Sequence, residues 1–159
     1  MRRAQISLTN YFVSELTYVA NHAFDADKPS TIGIADYEVT PRTKAETGDR
    51  RKWEVKVRVA LTASPDRNFP CSFMVDIVGF VEVDETLREE YIDRFVNING
   101  VALVFGAARE IVRAITAAGP SKSVLLPSVT FWEPKEAAAS PDAVSSGASV
   151  SPGAEATAE

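Results

Sequence analysis

Apolar and polar side chains alternate from residue 6 to residue 20, with Ile6, Leu8, Phe12, Leu16 and Tyr18 in one row and Ser7, Thr9, Glu15 and Thr17 in the other. That is the period of a half-buried strand, and Asn10 and Ser14, which interrupt the inward row, mark a bulge or bend. Residues 21–35 carry Asp25, Asp27, Lys28, Pro29, Ser30 and Gly33, the composition of a long connection over a surface. Its apolar residues Phe24, Ile32 and Ile34 need cover from the domain's own core or from a ligand. A second strand follows over residues 37–43, then a polar connection over residues 44–50. The third strand has the cleanest alternation, with Trp53, Val55, Val57, Val59 and Leu61 facing one way and Lys52, Glu54, Lys56 and Arg58 the other, so one of its faces is wet. After a turn at residues 64–68, residues 69–83 return as a fourth strand. Both its rows, Phe73/Val75/Ile77 and Met74/Val78/Phe80, are apolar, which calls for cover by helices, a second subunit or a bound chain.

The period then changes to that of a helix. Asp84 is the expected N-cap, acidic Glu85, Glu89 and Glu90 come early, and Leu87, Tyr91, Ile92 and Phe95 form the apolar stripe. This helix is expected to end between Asn97 and Gly100. A second is predicted over residues 101–118, burying Val104, Ala108, Ile111 and Ile115 with Leu103, Ala107 and Ala114 at the margins. Gly119 and Pro120 stop it. Gly106, Ala107, Ala108 and Ala114 are small enough to let a neighbouring helix approach closely. Strands gathered first and helices second give an α+β class, a four-stranded antiparallel sheet with helices packed on one face. Trp132, Glu133 and Pro134 break the pattern, and at most a short helix over residues 135–139 follows Pro134. One domain is expected over residues 1–135, then a disordered tail over residues 136–159, whose Ala, Ser, Pro and Gly cannot offset the entropy of ordering.

Composition removes several function classes. The chain has 159 residues, 45% of them hydrophobic and 25% charged, enough for one core. A net charge of -5 argues against a nucleic-acid partner, which needs a concentrated basic surface. The start, Met1-Arg2-Arg3, leads into no continuous apolar run, and no window reaches the roughly 18 apolar residues of a membrane span, so no membrane insertion and a cytoplasmic location are expected. A lone Cys71 in a strand-like run reads as a small buried hydrophobe. The rival reading is an enzyme on a curved α+β sheet, such as a hot-dog thioesterase, but its chemistry is thinly provided. His22 is the only histidine and sits in or beside the crossover loop, with nothing near it that marks a triad. No metal-ligand spacing or phosphate-cradling glycine loop appears, so neither a cofactor nor catalysis is expected. Arg109 and Glu110 are adjacent on a helix and point in different directions, which suits separate inter-element or inter-subunit bridges.

The order of elements and four local strings carry a resemblance. Phe105-Gly106-Ala107-Ala108-Arg109-Glu110 is similar to an FPYARE helix motif with Gly and Ala in place of Pro and Tyr. Leu126-Pro127-Ser128-Val129-Thr130-Phe131 is similar to an LxPxxF ending, Val78-Gly79-Phe80 to an AGIF strand, and the stretch from Tyr11 to Tyr18 to an opening IYxKDxSFE strand. Together they resemble SecB, the bacterial protein-export chaperone family, over residues 6–131. The resemblance implies a homotetramer built as a dimer of dimers, with helices sandwiched between outer sheets and apolar grooves that hold unfolded polypeptide without ATP. It also implies that Phe24, Ile32, Ile34, Leu125, Leu126 and Phe131 line the groove, and that Phe73, Val75 and Ile77, with Phe105, Arg109 and Glu110 of the helix motif, are core or assembly contacts.

The departures bear on mechanism. The export family engages the SecA motor through acidic residues on the outer sheet face and through a C-terminal helix. Glu15 fills one such acidic position, while Val19 and Met74 fall where acids are expected and Lys52, Lys56 and Arg58 make part of that face basic. The FDALY helix start becomes Phe131-Trp132-Glu133-Pro134-Lys135. A holdase for export and one for other clients, such as the antitoxin of a toxin–antitoxin system, therefore both stay open, as does a structural adaptor whose apolar strand is a fixed interface. The net negative charge favours clients with basic segments, modestly at physiological salt.

Overall fold

The computed structural model describes residues 4–30, 32–63 and 67–131. The chain start at Met1-Arg2-Arg3, residues 64–66 of the turn, the break at Trp132 to Pro134, the helix over residues 135–139 and the tail over residues 136–159 lie outside the described residues.

Four strands, β1 (Ile6–Ala20), β2 (Tyr37–Glu46), β3 (Asp49–Leu61) and β4 (Cys71–Val83), form one antiparallel sheet in the order β1-β4-β3-β2. The third and fourth strands alternate as expected. Val55, Val57, Val59, Leu61, Phe73, Val75, Ile77, Val81 and Val83 make a buried face, and the charged row of β3 lies on the other side. The β2–β3 hairpin is tighter than the polar stretch suggests, because β2 runs on to Glu46 and Gly48, at φ +90°, supplies the left-handed turn residue.

β1 departs from simple alternation, and its register shows why. One residue is extra between Leu8 and Asn10 and another between Val13 and Glu15, so Thr9 and Ser14 are bulged. Each hydroxyl donates to a carbonyl of β4 where the ladder is interrupted, Thr9 Oγ1 to Phe80 O at 3.0 Å and Ser14 Oγ to Asp76 O at 3.3 Å. Between the bulges the strand is turned over. Phe12, expected in the row of Ile6 and Leu8, faces the outer side beside Phe80, with ring centroids 6.2 Å apart, while Tyr11 and Val13 move to the helix side. The second row of β4 is thereby partly covered from within the sheet, since Val78 lies between Phe12 and the aliphatic stem of Lys56 and is buried.

The two expected helices are one. α1 (Glu89–Phe95), a π turn (Val96–Gly100) and α2 (Val101–Thr116) are continuous. Asn97 and Asn99 do loosen the ladder as their composition suggests. Their side-chain amides donate to the carbonyls of Asp93 and Phe95 four residues back, at 2.9 and 3.2 Å. The outcome is a π turn and not a stop, because the wider turn brings Val96 and Val101 onto the sheet together, where both are buried. In a regular helix, positions five apart lie on different faces. The N-terminus also differs. Arg88 precedes the first turn, and Asp84 instead caps its own turn, accepting from Thr86 N at 2.9 Å and Thr86 Oγ1 at 2.7 Å. The joined helix is 28 residues long with a mean hydropathy of 1.4 over its most apolar 18, long and apolar enough to cross a membrane, a span that two shorter helices did not offer. Ile92, Val96, Val101, Val104, Phe105, Ala108 and Val112 are packed in the core, so its apolar stripe is that of a core helix.

Tyr37, at the start of β2, lies against Phe73 with centroids 6.4 Å apart. Burial, with Asp36 and Cys71 adding to it, pushes its hydroxyl up to about 12. An unfolded tyrosine ionises near 10. Between those pH values the native state holds a proton that the unfolded state has released, so stability falls as pH rises. The drop is expected to be on the order of 1 kcal/mol, allowing for the side chain's partial exposure. Urea titrations at increasing alkaline pH should show a smaller loss in Tyr37→Phe than in the wild type, the remainder coming from Tyr18 and Cys71, whose groups burial also pushes up.

Candidate functional site: a cleft between the edge strand and the helix

Among the described residues β2 has no strand on its outer side, and the helix lies mainly over β3 and β4. Between that edge strand and the helix lies a cleft of ≈ 810 Å³ lined by Val39, Pro41, Arg42 and Thr43 of β2, Arg94, Asn97, Ile98 and Val101 of the helix, and Thr130 and Phe131. Its geometry follows from local sequence. Val39, Pro41 and Thr43 pair with Val59, Val57 and Val55, which puts them on the helix side of the sheet. Pro41 has no N–H, which suits an edge and interrupts the row of donors that an added strand would use. The π turn sets Asn97 opposite β2, where its Oδ1 accepts from Thr43 Oγ1 at 2.7 Å. Arg94 stands exposed on the helix wall, whereas Arg42, between Pro41 and Thr43, lies on the outer face of the sheet opposite Lys56, in a second cavity with Glu38, Arg58 and Asp76, and meets the cleft only at its edge.

The end of the cleft is built by residues 124–131, which are neither helix nor strand. Val124 and Leu126 turn into the core, Leu126 with only 3% of its surface exposed, while Leu125 between them is 69% exposed. Two side chains of α2 hold this segment. Thr116 Oγ1 donates to Val112 O at 2.7 Å and accepts from Val124 N at 2.9 Å, and Arg109 Nε donates to Leu126 O at 3.1 Å. Phe105 meets Phe131 edge to face, with centroids 5.6 Å apart. The FPYARE-like and LxPxxF-like strings, far apart in sequence, thus fasten to each other and place Phe131 in the cleft.

Of the residues the resemblance assigned to a groove, Phe131 lines this cleft, and the others are placed elsewhere. Leu126 is core and Leu125 is exposed. Phe24, Ile32 and Ile34 sit in the crossover segment, which is pinned to the β3–β4 connection. Asn21 Nδ2 donates to Phe69 O at 2.7 Å, Asn68 Nδ2 to Asp25 O at 2.7 Å, and Arg67 pairs with Asp36 at 2.7 Å. Ile32 packs on the core, and Ile34, in a short 3-10 turn (Ile34–Asp36), is exposed. Phe73, Val75, Ile77 and Phe105 are core residues of the subunit itself. Glu110 is exposed and accepts from Arg113 within the helix at 2.9 and 3.0 Å. Sequence reasoning missed Val39 and Pro41, on a strand that turns out to be an edge, and Ile98, in the stretch expected to end the first helix.

A second apolar strip lies on edge strand β1, where Tyr11, Val13 and Leu16 face the helix side but are exposed. On the outer face Glu15 lies 3.9 Å from Arg58, whose guanidinium is held at 2.7 and 2.6 Å by both oxygens of Asp76. Val19 is exposed on that face. Of the groups an enzyme reading would use, His22 is exposed after β1, and Cys71 is buried, with burial pushing its thiol up and away from the reactive thiolate. No cluster of three or more His, Cys, Asp or Glu fit to hold a metal occurs among the described residues.

No family model matches the chain. An uncharacterized protein of Methanocaldococcus jannaschii, MJ0357, is 22% identical to it over 130 residues, covering 80% of each chain. Among solved structures, the Rv1957 SecB-like chaperone of Mycobacterium tuberculosis, in complex with a ChAD peptide from the Rv1956 HigA1 antitoxin, matches with a TM-score of 0.61 at 12% identity. The match covers 79% of this chain and 91% of that one. At this identity the likeness is one of fold: the four-stranded antiparallel sheet and its packed helix form the SecB-like α+β architecture.

Proposed function

We propose that this chain is a holdase, binding non-native polypeptide in the cleft beside β2 with no nucleotide and no chemistry done on the client. The observation that carries the reading is the open, apolar-floored cleft on a fold shared with a SecB-like chaperone that was solved with a peptide. Burying one large apolar side chain of a client stabilises by roughly 1.5–3 kcal/mol, less the cost of ordering the segment, so one cleft binds weakly. Several clefts on one assembly supply the affinity by avidity. The exposed Tyr11, Val13 and Leu16 on the β1 edge are a surface that a second subunit would cover, which supports a homo-oligomer, a tetramer in our reading. We place the protein in the cytoplasm, with no membrane insertion.

Between client classes, the outer face favours polypeptides outside the export route. Glu15, the acid available for a SecA contact, is drawn towards Arg58, and Val19 stands exposed where the export pattern has an acid. The neighbour's antitoxin peptide is consistent with such clients.

The deciding experiment dilutes a chemically unfolded client into stoichiometric amounts of the protein and follows light scattering without nucleotide. Suppressed scattering is expected; unchanged scattering ends the reading. Ile98→Asp, which puts a charge on the partly buried cleft floor, should weaken client holding by about tenfold while leaving the circular dichroism spectrum intact.

A further inference from the structure

We propose that the first occupant of the cleft is the chain's own next segment, Trp132 to Glu136, which a client must displace. This rests on the holdase reading and adds its regulation. The described residues end in the cleft, at Phe131, which packs edge to face with Phe105 while Arg109 holds the preceding stretch at Leu126 O. Consecutive Cα atoms are about 3.8 Å apart, so Trp132 starts at the cleft and Glu136 lies within about 18 Å of Phe131. Trp132 is the only aromatic residue after Phe131, and the floor of Val39, Pro41, Ile98 and Val101 offers its indole apolar cover in a cleft of ≈ 810 Å³. Pro134 disfavours helical backbone at Glu133, so no helix begun before it carries Trp132 away from that floor.

Charge fits the same occupant in a minor way. Arg94 on the helix wall has no acidic partner among the described residues, and Glu133 and Glu136 are the first acids beyond Phe131. A pair between exposed groups adds little, so burial of the indole supplies most of the contact. The tether makes this segment an effective competitor. A short tether holds it at an effective concentration on the order of 1 mM, so a contact with an intrinsic Kd of about 0.1 mM fills the cleft about ten times out of eleven. A client then binds about tenfold more weakly than it would to an open cleft. The segment thus sets a threshold: chains rich in large apolar side chains displace it and sparsely apolar ones do not.

The test uses the full chain and a neutral fluorescein-labelled peptide that alternates Phe, Leu and Val with Ser. The tryptophan emission of the wild type less that of W132F reports Trp132 alone, because Trp53, the other tryptophan, is buried with its indole donating to Arg50 O at 2.8 Å. Without peptide, acrylamide should quench Trp132 several-fold less than free tryptophan, and I98D should release it to the free value. Fluorescence anisotropy should show W132A binding the peptide on the order of tenfold tighter than the wild type, with E133Q/E136Q moving a smaller way in the same direction. Free quenching of Trp132 in the wild type, or equal or weaker peptide binding by a W132A of unchanged circular dichroism, overturns the proposal. If W132A does not fold, the quenching arm decides alone. Should no variant bind the peptide while Trp132 stays shielded and I98D frees it, the segment's place in the cleft stands and the holdase reading falls. Shielding that rises with protein concentration would put the segment on a second copy and overturn the assignment to its own cleft.

Discussion

Val75→Asp is expected to unfold the subunit. Read from sequence alone, a charge at this position would only separate an assembly if the side chain lay at or beneath its interface. The structure puts Val75 on the helix side of β4 between Val59 and Leu16, with 0% of its surface exposed. Thr116 is the only buried polar or charged residue in the described core, so a carboxylate there meets no cation and no donor to replace water. Burying a polar group without a partner costs several kcal/mol, and an ionised one costs more, enough to consume most of the 5–15 kcal/mol by which domains are typically stable. Far-UV circular dichroism and size exclusion should show an unfolded chain at neutral pH, with partial recovery at acid pH where the carboxyl is neutral. Val75→Ala, which leaves only a cavity, should stay folded and lose about 2 kcal/mol. A folded, smaller assembly for Val75→Asp would contradict this account of the core.

How much of this was legible beforehand depends on whether one residue's surroundings are local. The alternation of β3, the apolar row of β4 and the α+β order follow from side-chain period alone, and the structure agrees with each. The turned-over stretch of β1 was only half legible. Ser14 marks one bulge, but Thr9 is a good strand residue whose hydroxyl becomes a bulge cap only because Phe80 O is opposite it. The break expected at Asn97 to Gly100 failed for a tertiary reason, since burying Val96 and Val101 together outweighs the poor helix propensity of Asn and Gly. The cleft was least legible. Phe131 could be named through its motif, but Val39, Pro41 and Ile98 become a surface only once the sheet order leaves β2 at the edge. Sheet order is a long-range fact that no local pattern encodes.

Gly79→Val is the second substitution expected to have a large effect, and it explains why the AGIF-like strand needs its glycine. Gly79 sits on the helix face of β4 opposite Val55 and Tyr11, where the helix crosses the sheet closely. A Cβ there would overlap Val104 Cγ2 and would lie 3.1 Å from Leu8 Cδ1, tighter than ordinary van der Waals contact on both sides. Val104 is fully buried in a close-packed core and its β-branched side chain is stiff in a helix, so the overlap is relieved by the helix lifting from the sheet. Overpacking of this kind costs about 1–3 kcal/mol for a methyl, and valine adds two carbons more. Gly79→Ala alone is expected to lose about 2 kcal/mol and Val104→Ala alone a similar amount through the cavity it leaves. The double variant should recover at least about 1 kcal/mol relative to their sum, because the new methyl enters the space the valine vacates. Urea denaturation of the four proteins measures that coupling. Strict additivity would mean that the helix does not approach the sheet at Gly79, and the placement of the helix over the sheet would have to be redrawn.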